Sequence, residues 1–186
     1  MAVPTETITT ENVVASTAVD QELNLDALRV DLSRADYDPD RFPGLIYRTI
    51  DSKAASLVFR SGEVVTTESR SEPDAHGALE ILFGELDDLG VIVPDSPTVT
   101  VQNIVSTADL GSSLNLNAIA VGLGLERIEY EPEQFPGLVY RMDEPSVLLL
   151  LFGSGKLVIT GATWLAEAEH AVERIHSRLD EVGLLD

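Results

Sequence analysis

The stretch DPDRFPGLIYR, residues 38–48, decides the fold because it recurs as EPEQFPGLVYR at residues 131–141. The offset between the copies is 93 positions, since residue 48 corresponds to residue 141. Such self-similarity is the sequence signature of a duplicated structural unit. Two copies are too few for a solenoid, so the sequence predicts a pseudo-symmetric body built from two similar halves.

The duplication extends over nearly the whole chain. Three further pairs of segments match: 11–14 (ENVV) with 102–105 (QNIV), 23–25 (LNL) with 114–116 (LNL), and 59–62 (FRSG) with 152–155 (FGSG). The upstream pairs are 91 positions apart and the downstream pair is 93 apart, so the second copy carries two inserted residues. We therefore predict two repeats, at residues 8–95 and 98–186.

Both copies predict the same order of strands and helices. In the first copy a strand rich in Thr and Val lies near 9–17, and a short helix follows Asn24, a residue type that caps helix N-termini. Three short β-rich segments then lie near 44–50, 54–60 and 63–68. A Ser-Gly turn signal separates the last two segments.

A longer helix closes each copy. Its apolar residues recur at a spacing of three or four and end at a glycine stop signal, Gly90 or Gly183. These apolar residues are Leu79, Leu82, Leu86 and Leu89 in the first copy, and Ala168, Val172, Ile175, Leu179 and Val182 in the second. Strands followed by such a helix predict an α+β fold, in which an antiparallel sheet has its helices on one face.

The opposite sheet face is predicted to be exposed. Residues i and i+2 of a strand share a side, so residues of this face can be paired by alternation. The pairs are Asn12 with Val14, Leu57 with Phe59, and Val65 with Thr67, and in the second copy Asn103 with Val105, Leu150 with Phe152, and Val158 with Thr160. A large exposed apolar face of this kind is typical of a binding surface.

Charge alone argues against nucleic acid as the partner. The chain has 32 Asp and Glu against 12 Lys and Arg, a net charge of −20, and its only lysines are Lys53 and Lys156. Self-repulsion at this level disfavours a compact state unless cations screen it. We interpret the acidity as adaptation to a high-salt cytoplasm; the alternative is an acidic protein without that adaptation.

The remaining composition excludes several classes of protein. The chain has no cysteine, which excludes disulfides, thiolate metal sites and cysteine nucleophiles, and fits a cytoplasmic location. The sequence contains no run of about twenty apolar residues, so it predicts no membrane span. The first ten residues do not predict a secretion signal.

The repeated blocks together resemble the TATA-box-binding protein family. They are [QE]-N-[IV]-V, [DE]-P-x-x-F-P-G-L-[IV]-Y-R, and F-x-S-G-K-[LIV]-V-[IV]-T-G, the last complete only at residues 152–161. The resemblance covers nearly the whole chain, and the acidity is similar to that of the archaeal, halophilic branch. It implies one curved ten-stranded antiparallel sheet, a saddle, with four helices on its convex face and DNA under its concave face.

The resemblance also implies how the open face would bind the minor groove of AT-rich DNA. Asparagines and threonines match hydrogen-bonding positions, apolar residues match the groove floor, phenylalanines match wedges between base steps, and arginines match phosphate contacts. The hydrogen-bonding residues are Asn12, Asn103, Thr67 and Thr160, and the residues of the groove floor are Val14, Val65, Val105 and Val158, with Leu57 and Leu150. The wedges are Phe42, Phe59, Phe135 and Phe152, and the phosphate-contacting residues are Arg48 and Arg141. Taken singly, Phe59 or Phe152 before Ser-Gly is typical of a core aromatic, Arg48 or Arg141 of a surface residue, and Asn12 of a strand-end residue. Their symmetric recurrence, together with the family resemblance, favours binding.

Three positions depart from the family's pattern. Glu63 stands where a cation is common, Glu68 replaces a glycine, and Thr163 replaces a lysine. We therefore expect weak DNA binding at low salt. Binding is expected to improve with KCl if acidic groups near the DNA take up cations, the reverse of the usual release of cations from phosphate.

The resemblance implies transcription factor B as a partner, which would grip the loop at Glu131, Glu133 and Gln134 and link the protein indirectly to RNA polymerase. The alternative for this loop is a solvated acidic turn. We predict no catalysis, no cofactor and no metal, and leave open whether the DNA-free protein forms a homodimer.

Three other functions stay open at this point. The first is a divergent paralogue that acts as a promoter-selective regulator or protein-interaction module with weak DNA binding. The second is an enzyme, since half of this fold occurs as a non-catalytic part of some DNA glycosylases, although no length remains here for a catalytic domain. The third is binding of a basic protein through charge.

Other motifs are interpreted as structural. The GSGK sequence at residues 153–156 lacks the spacing of a phosphate loop and predicts a hairpin turn. His76, His170 and His176 lack metal-ligand spacing and are expected on helix surfaces. Trp164 is expected to pack at the start of the last helix.

Overall fold

The computed structural model describes residues 4–185, which form two compact units. The first unit consists of residues 12–102, and the second of residues 103–185 together with residues 4–11. Hydrogen bonds hold the opening segment in the second unit: the Asp109 N–H donates to Thr7 Oγ1 at 2.8 Å, and the Thr107 hydroxyl donates to Glu11 Oε1 at 3.0 Å. The predicted repeat boundaries stay a prediction.

The first unit holds an antiparallel sheet with the strand order β2-β3-β4-β5-β1. Its elements are β1 (Thr9–Ala18), α1 (Leu25–Asp31), β2 (Ala35–Asp36), β3 (Leu45–Arg48), β4 (Ala55–Val58), β5 (Glu63–Ser69) and α2 (Glu72–Asp88).

The second unit repeats this plan with the strand order β6-β10-β9-β8-β7. Its elements are β6 (Thr100–Asp109), α3 (Leu116–Gly122), β7 (Ile128–Glu129), β8 (Leu138–Met142), β9 (Val147–Leu151), β10 (Lys156–Ala162) and α4 (Leu165–Glu181). Short 3₁₀ turns lie at Pro4–Thr7 and Leu125–Arg127.

Local sequence sets the helix ends as predicted. Asn24 Oδ1 accepts a hydrogen bond from the Ala27 N–H at 3.2 Å, and Asn115 Oδ1 accepts one from the Ala118 N–H at 3.1 Å. These caps satisfy backbone donors that the first helical turn leaves without partners. Beyond α2, Gly90 has a φ of 86°, a left-handed conformation that glycine adopts without steric strain and that ends a helix.

The long helix of each unit packs on one face of its sheet, and the predicted apolar stripe contributes to the core of that unit. The buried stripe residues are Leu79, Leu82 and Leu86 in α2 and Ala168, Val172, Ile175 and Leu179 in α4. Burying one of the leucine, isoleucine or valine side chains among them stabilises the fold by roughly 1.5–3 kcal/mol. The prediction is wrong for the last residue of each stripe. Leu89 and Val182 are 42 % and 38 % exposed, because each follows the end of its helix.

Two further features differ from the sequence patterns. Those patterns show four strands for each repeat, whereas each unit has a fifth, the two-residue strands β2 and β7, which confirms the ten strands that the family resemblance implies. Trp164 does not pack at the start of the last helix as expected; it lies at the N-cap of α4 and is 68 % exposed. Among the described residues, no helix is long and apolar enough to cross a membrane.

Candidate nucleic-acid interface

Each sheet turns one face towards its helices and leaves the other face open. In β1, Val13 and Ala15 are each 1 % exposed, whereas Asn12 and Val14 are half-buried. The same alternation runs through the neighbouring strands. We call the side that carries Asn12 in the first unit, and Asn103 in the second, the open face of that unit.

The structure places every predicted DNA-binding residue on or beside an open face. Those that are half-buried are Asn12, Val14, Phe42, Leu57, Phe59, Val65 and Thr67 in the first unit, and Asn103, Val105, Leu150, Phe152, Val158 and Thr160 in the second. Arg48, Phe135 and Arg141 are exposed. Half-burial is what a side chain shows when it packs sideways against its strand neighbours while its tip stays accessible.

Rows of residues cross each open face, and sequence reasoning missed their ends. Register aligns Leu57 with Val65 in the first unit and Leu150 with Val158 in the second. The missed end residues are Ile46 and Ser16 in the first row and Val139 and Thr107 in the second. Alternation from Arg48 and Val14 is the signal that could have identified the first two.

A β-bulge interrupts each of these sheets next to the predicted asparagine. In the first unit β5 carries one extra residue between its pairings with Val13 and Ala15 of β1. In the second unit β10 does the same opposite β6, between its pairings with Ile104 and Ser106. The bulge contains Glu68 at a φ of 62° in the first unit and Gly161 at a φ of 95° in the second.

The bulge orients the asparagine. The Glu68 N–H donates to Asn12 Oδ1 at 2.8 Å, and the Gly161 N–H donates to Asn103 Oδ1 at 2.7 Å. This hydrogen bond from the backbone fixes the orientation of each amide, whose NH₂ group can only donate. In the second unit one of these donors lies 3.2 Å from Thr160 Oγ1.

Two aromatic pairs stand at the loops of the open faces. The Phe42 and Phe59 rings are 5.9 Å apart between centroids and 63° apart in plane. The Phe135 and Phe152 rings are 6.0 Å and 72° apart. These are edge-to-face contacts, a favourable geometry for aromatic rings.

A glycine lies under each aromatic pair. A Cβ at Gly44 would come 2.8 Å from Phe42 Cε1 and 3.0 Å from Phe59 Cε1. At Gly137 the corresponding distances to Phe135 and Phe152 would be 2.7 and 3.0 Å. The Pro-Gly of the repeated motif therefore lets the backbone pass directly beneath the rings.

Both predicted phosphate-binding arginines carry a carboxylate partner. Arg48 Nη1 lies 3.0 Å from Glu68 Oε2, and Arg141 Nη2 lies 3.4 Å from Glu129 Oε1. All four side chains are more than half exposed. Pairs this accessible are weak, so an incoming anion can displace the carboxylate.

The other two departures from the family pattern have different surroundings. Glu63 is exposed at the start of β5, as is its counterpart Lys156 at the start of β10. The Thr163 N–H donates to Glu167 Oε2 at 2.8 Å. This hydrogen bond is the largest cause of a lowered pKa of Glu167, and a second hydrogen bond, from the Trp164 N–H at 3.1 Å, lowers that pKa further. Thr163 thus helps to begin α4.

The predicted partner loop is an exposed turn. Glu131, Glu133 and Gln134 are all exposed, and the Glu131 carbonyl accepts from the Gln134 N–H at 2.9 Å and from the Phe135 N–H at 3.0 Å. The loop borders a cavity of about 560 Å³ that Tyr130 also lines. Nowhere in residues 4–185, this loop included, are three His, Asp or Glu side chains placed to hold a metal ion.

Comparison with known proteins gives consistent matches. The model of the family described as transcription factor TFIID, or TATA-binding protein, matches residues 7–89 and 98–182. TATA-box-binding protein E of Halobacterium salinarum and the TATA-box-binding protein of Haloarcula marismortui are each 62 % identical to the chain over 186 residues, with both proteins covered in full. The solved structure of the Methanococcus jannaschii protein, titled TBP, is 44 % identical and matches with a TM-score of 0.85, over 94 % of this chain and 99 % of that one. The predicted α+β fold class and archaeal branch are confirmed.

Proposed function

The chain belongs to the TATA-binding-protein family, and from this premise we propose that it is a general transcription initiation factor that binds and bends an AT-rich promoter box through the minor groove. The observation that carries the proposal is the asparagine of each open face: a backbone N–H holds its carbonyl oxygen, and its NH₂ group supplies two donors, one of which contacts Thr160 Oγ1 in the second unit. At A·T pairs the minor groove offers only acceptors, which suit such donors.

The apolar rows supply the preference for A·T pairs. Leu57 with Val65, and Leu150 with Val158, lie against the groove floor in this proposal, beside Val14 and Val105. A G·C pair would place the guanine amino group there, and that donor would lose its water without gaining an acceptor. The Thr67 and Thr160 hydroxyls add hydrogen bonds to the bases.

The two aromatic pairs act as wedges that kink the DNA. Phe42 with Phe59, and Phe135 with Phe152, enter base steps at the two ends of the box. Opening a step costs a few kcal/mol, offset by the protein surface that the bent groove then contacts, a device for which this family is itself a standard example. Pairs of rings already in contact keep the protein's own rearrangement small.

Phosphate contacts and protein partners complete the proposal. Arg48 and Arg141 fix the register by binding phosphates once their carboxylates are displaced. The exposed loop at Glu131, Glu133 and Gln134 binds transcription factor B, which recruits RNA polymerase. No catalysis and no cofactor enter this function, and it is carried out in the cytoplasm, where transcription takes place.

The test is a DNA-bending measurement in molar KCl. Duplexes labelled with a donor and an acceptor dye carry either an AT-rich box or a GC-substituted box, with and without transcription factor B. We expect bending that depends on the box and binding that the partner strengthens. Equal bending of the two duplexes, or none with the partner present, would overturn the proposal.

A further inference from the structure

Glu68 has an unusual backbone conformation. Its φ of 62° makes it the one residue other than glycine with positive φ in the part of the chain that the structure describes. Its counterpart in the second unit is Gly161, for which this conformation is unstrained. A strained residue on a candidate binding face needs a compensating interaction or a function.

The Glu68 side chain reaches across the open face of the first unit. Register places Ala55 of β4 between Arg48 on β3 and Thr67 on β5. The Arg48–Glu68 ion pair, at 3.0 Å, therefore spans the position of Ala55, which is 2 % exposed. The Ala55 side chain ends at Cβ and leaves room for a pair that crosses the strand.

The second unit lacks this arrangement. Leu148 stands at the position of Ala55, between Arg141 and Thr160, and the bulge residue is Gly161. Arg141 turns instead to Glu129 on the edge strand β7. The chain thus carries a carboxylate in the bulge of one open face and none in the bulge of the other.

We propose that Glu68 is an intramolecular competitor of DNA phosphate for Arg48, which weakens the hold of the first unit on DNA; the inference rests on the proposed function. A phosphate must displace the Glu68 carboxylate before it can bind the guanidinium. Once displaced, the carboxylate faces the DNA backbone, and the repulsion must be screened by cations from the solution. Both effects lower affinity at low salt and fade at high salt.

A double-mutant cycle tests this inference. Box affinity is measured for the wild type, Glu68→Gln, Arg48→Gln and the double variant, at the lowest KCl concentration that keeps all four folded and again in molar KCl. Glu68→Gln keeps the size of the side chain and removes its charge. We expect it to raise affinity about two- to fivefold, as for an exposed ion pair, and to have little effect when Arg48 is already replaced.

The matched control is Glu63→Gln, which removes the same charge from the other end of β5, where the described residues provide no ion pair. Its effect should be the same with or without the Arg48 substitution. Glu68→Gly, which gives the bulge the residue of the second unit, should raise affinity at least as much as Glu68→Gln.

The outcomes are distinguishable. If the wild type bends the box but the Glu68 and Arg48 substitutions act independently, Glu68 acts as one more negative charge and the inference alone fails. If no variant binds the box, the proposed function fails and the inference with it.

Discussion

A single methyl group at Gly137 should disable one wedge pair while leaving the fold intact. A Cβ there would lie 2.7 Å from Phe135 Cε1 and 3.0 Å from Phe152 Cε1, so at least one ring must move. Phe135 is 40 % exposed and can swing outward into solvent. The Gly137→Ala variant should therefore stay within about 1 kcal/mol of the wild type in stability.

The loss in binding follows from the aromatic contact. An edge-to-face pair contributes about 0.5–1.5 kcal/mol, and the added methyl group prevents the two rings from restoring that contact when they enter a base step. Affinity for the box should fall about two- to twelvefold, at 1.4 kcal/mol for each factor of ten. The bend angle, measured by energy transfer in the labelled duplex, should decrease, because one of the two kinks forms less often.

Gly153→Ala is the matched control. Gly153 adjoins Phe152, but a Cβ there would meet only the Leu114 carbonyl oxygen, at an ordinary distance of 3.7 Å. This variant should bind and bend DNA like the wild type. The reasoning is refuted if Gly137→Ala retains full affinity and bend angle, or if both variants lose them equally.

Three further predictions concern pH and salt. Burial, and next the nearby Glu85 carboxylate, raise the pKa of Tyr47 from 10.0 to about 12. The protonated hydroxyl therefore contributes fully to stability below pH 10, and this contribution is lost as pH rises through 12. The free energy of unfolding measured over this range should fall by up to about 3 kcal/mol, and the Tyr47→Phe variant should lack this part of the fall. Glu167→Ala removes the acceptor of two backbone donors and should lower stability by about 0.5–2 kcal/mol near pH 7. Because the pKa of Glu167 is lowered, this difference should shrink as the wild-type carboxylate is protonated on acidification through that pKa; a constant difference would contradict the assignment. Box affinity should rise with KCl in the molar range, as acidic groups near the DNA take up cations, and a steady fall would disprove the cation uptake.

The sequence predicts much of the fold because duplication doubles each signal. The cap at Asn24 is echoed by Asn115, and the glycine stop at Gly90 is echoed by Gly183. Periodicity then assigns the faces of long helices and strands reliably. It could not assign β2 and β7, because two residues are too few to show alternation. It also misassigned Leu89, because nothing in the apolar spacing marks where the last turn stops.

The candidate site is predictable in composition but not in connectivity. Alternation identifies Asn12 as facing outward, yet not that the bulge N–H of Glu68 occupies its carbonyl oxygen, because a bulge depends on pairing between distant strands. Likewise, Arg48 and Glu68 are twenty positions apart and meet only across a third strand. Trp164 was misassigned because a large apolar residue normally packs, whereas here it stands at a helix end facing solvent.

The central claim is that the open faces recognise the minor groove, and base analogues test it most directly. Replacing A·T pairs of the box with inosine·C changes the major groove but leaves the minor groove without an amino group, whereas diaminopurine·T keeps the major groove and adds that group. Energy-transfer bending in molar KCl should be retained on the inosine box and abolished on the diaminopurine box. Bending lost on the inosine box and retained on the diaminopurine box would contradict the account.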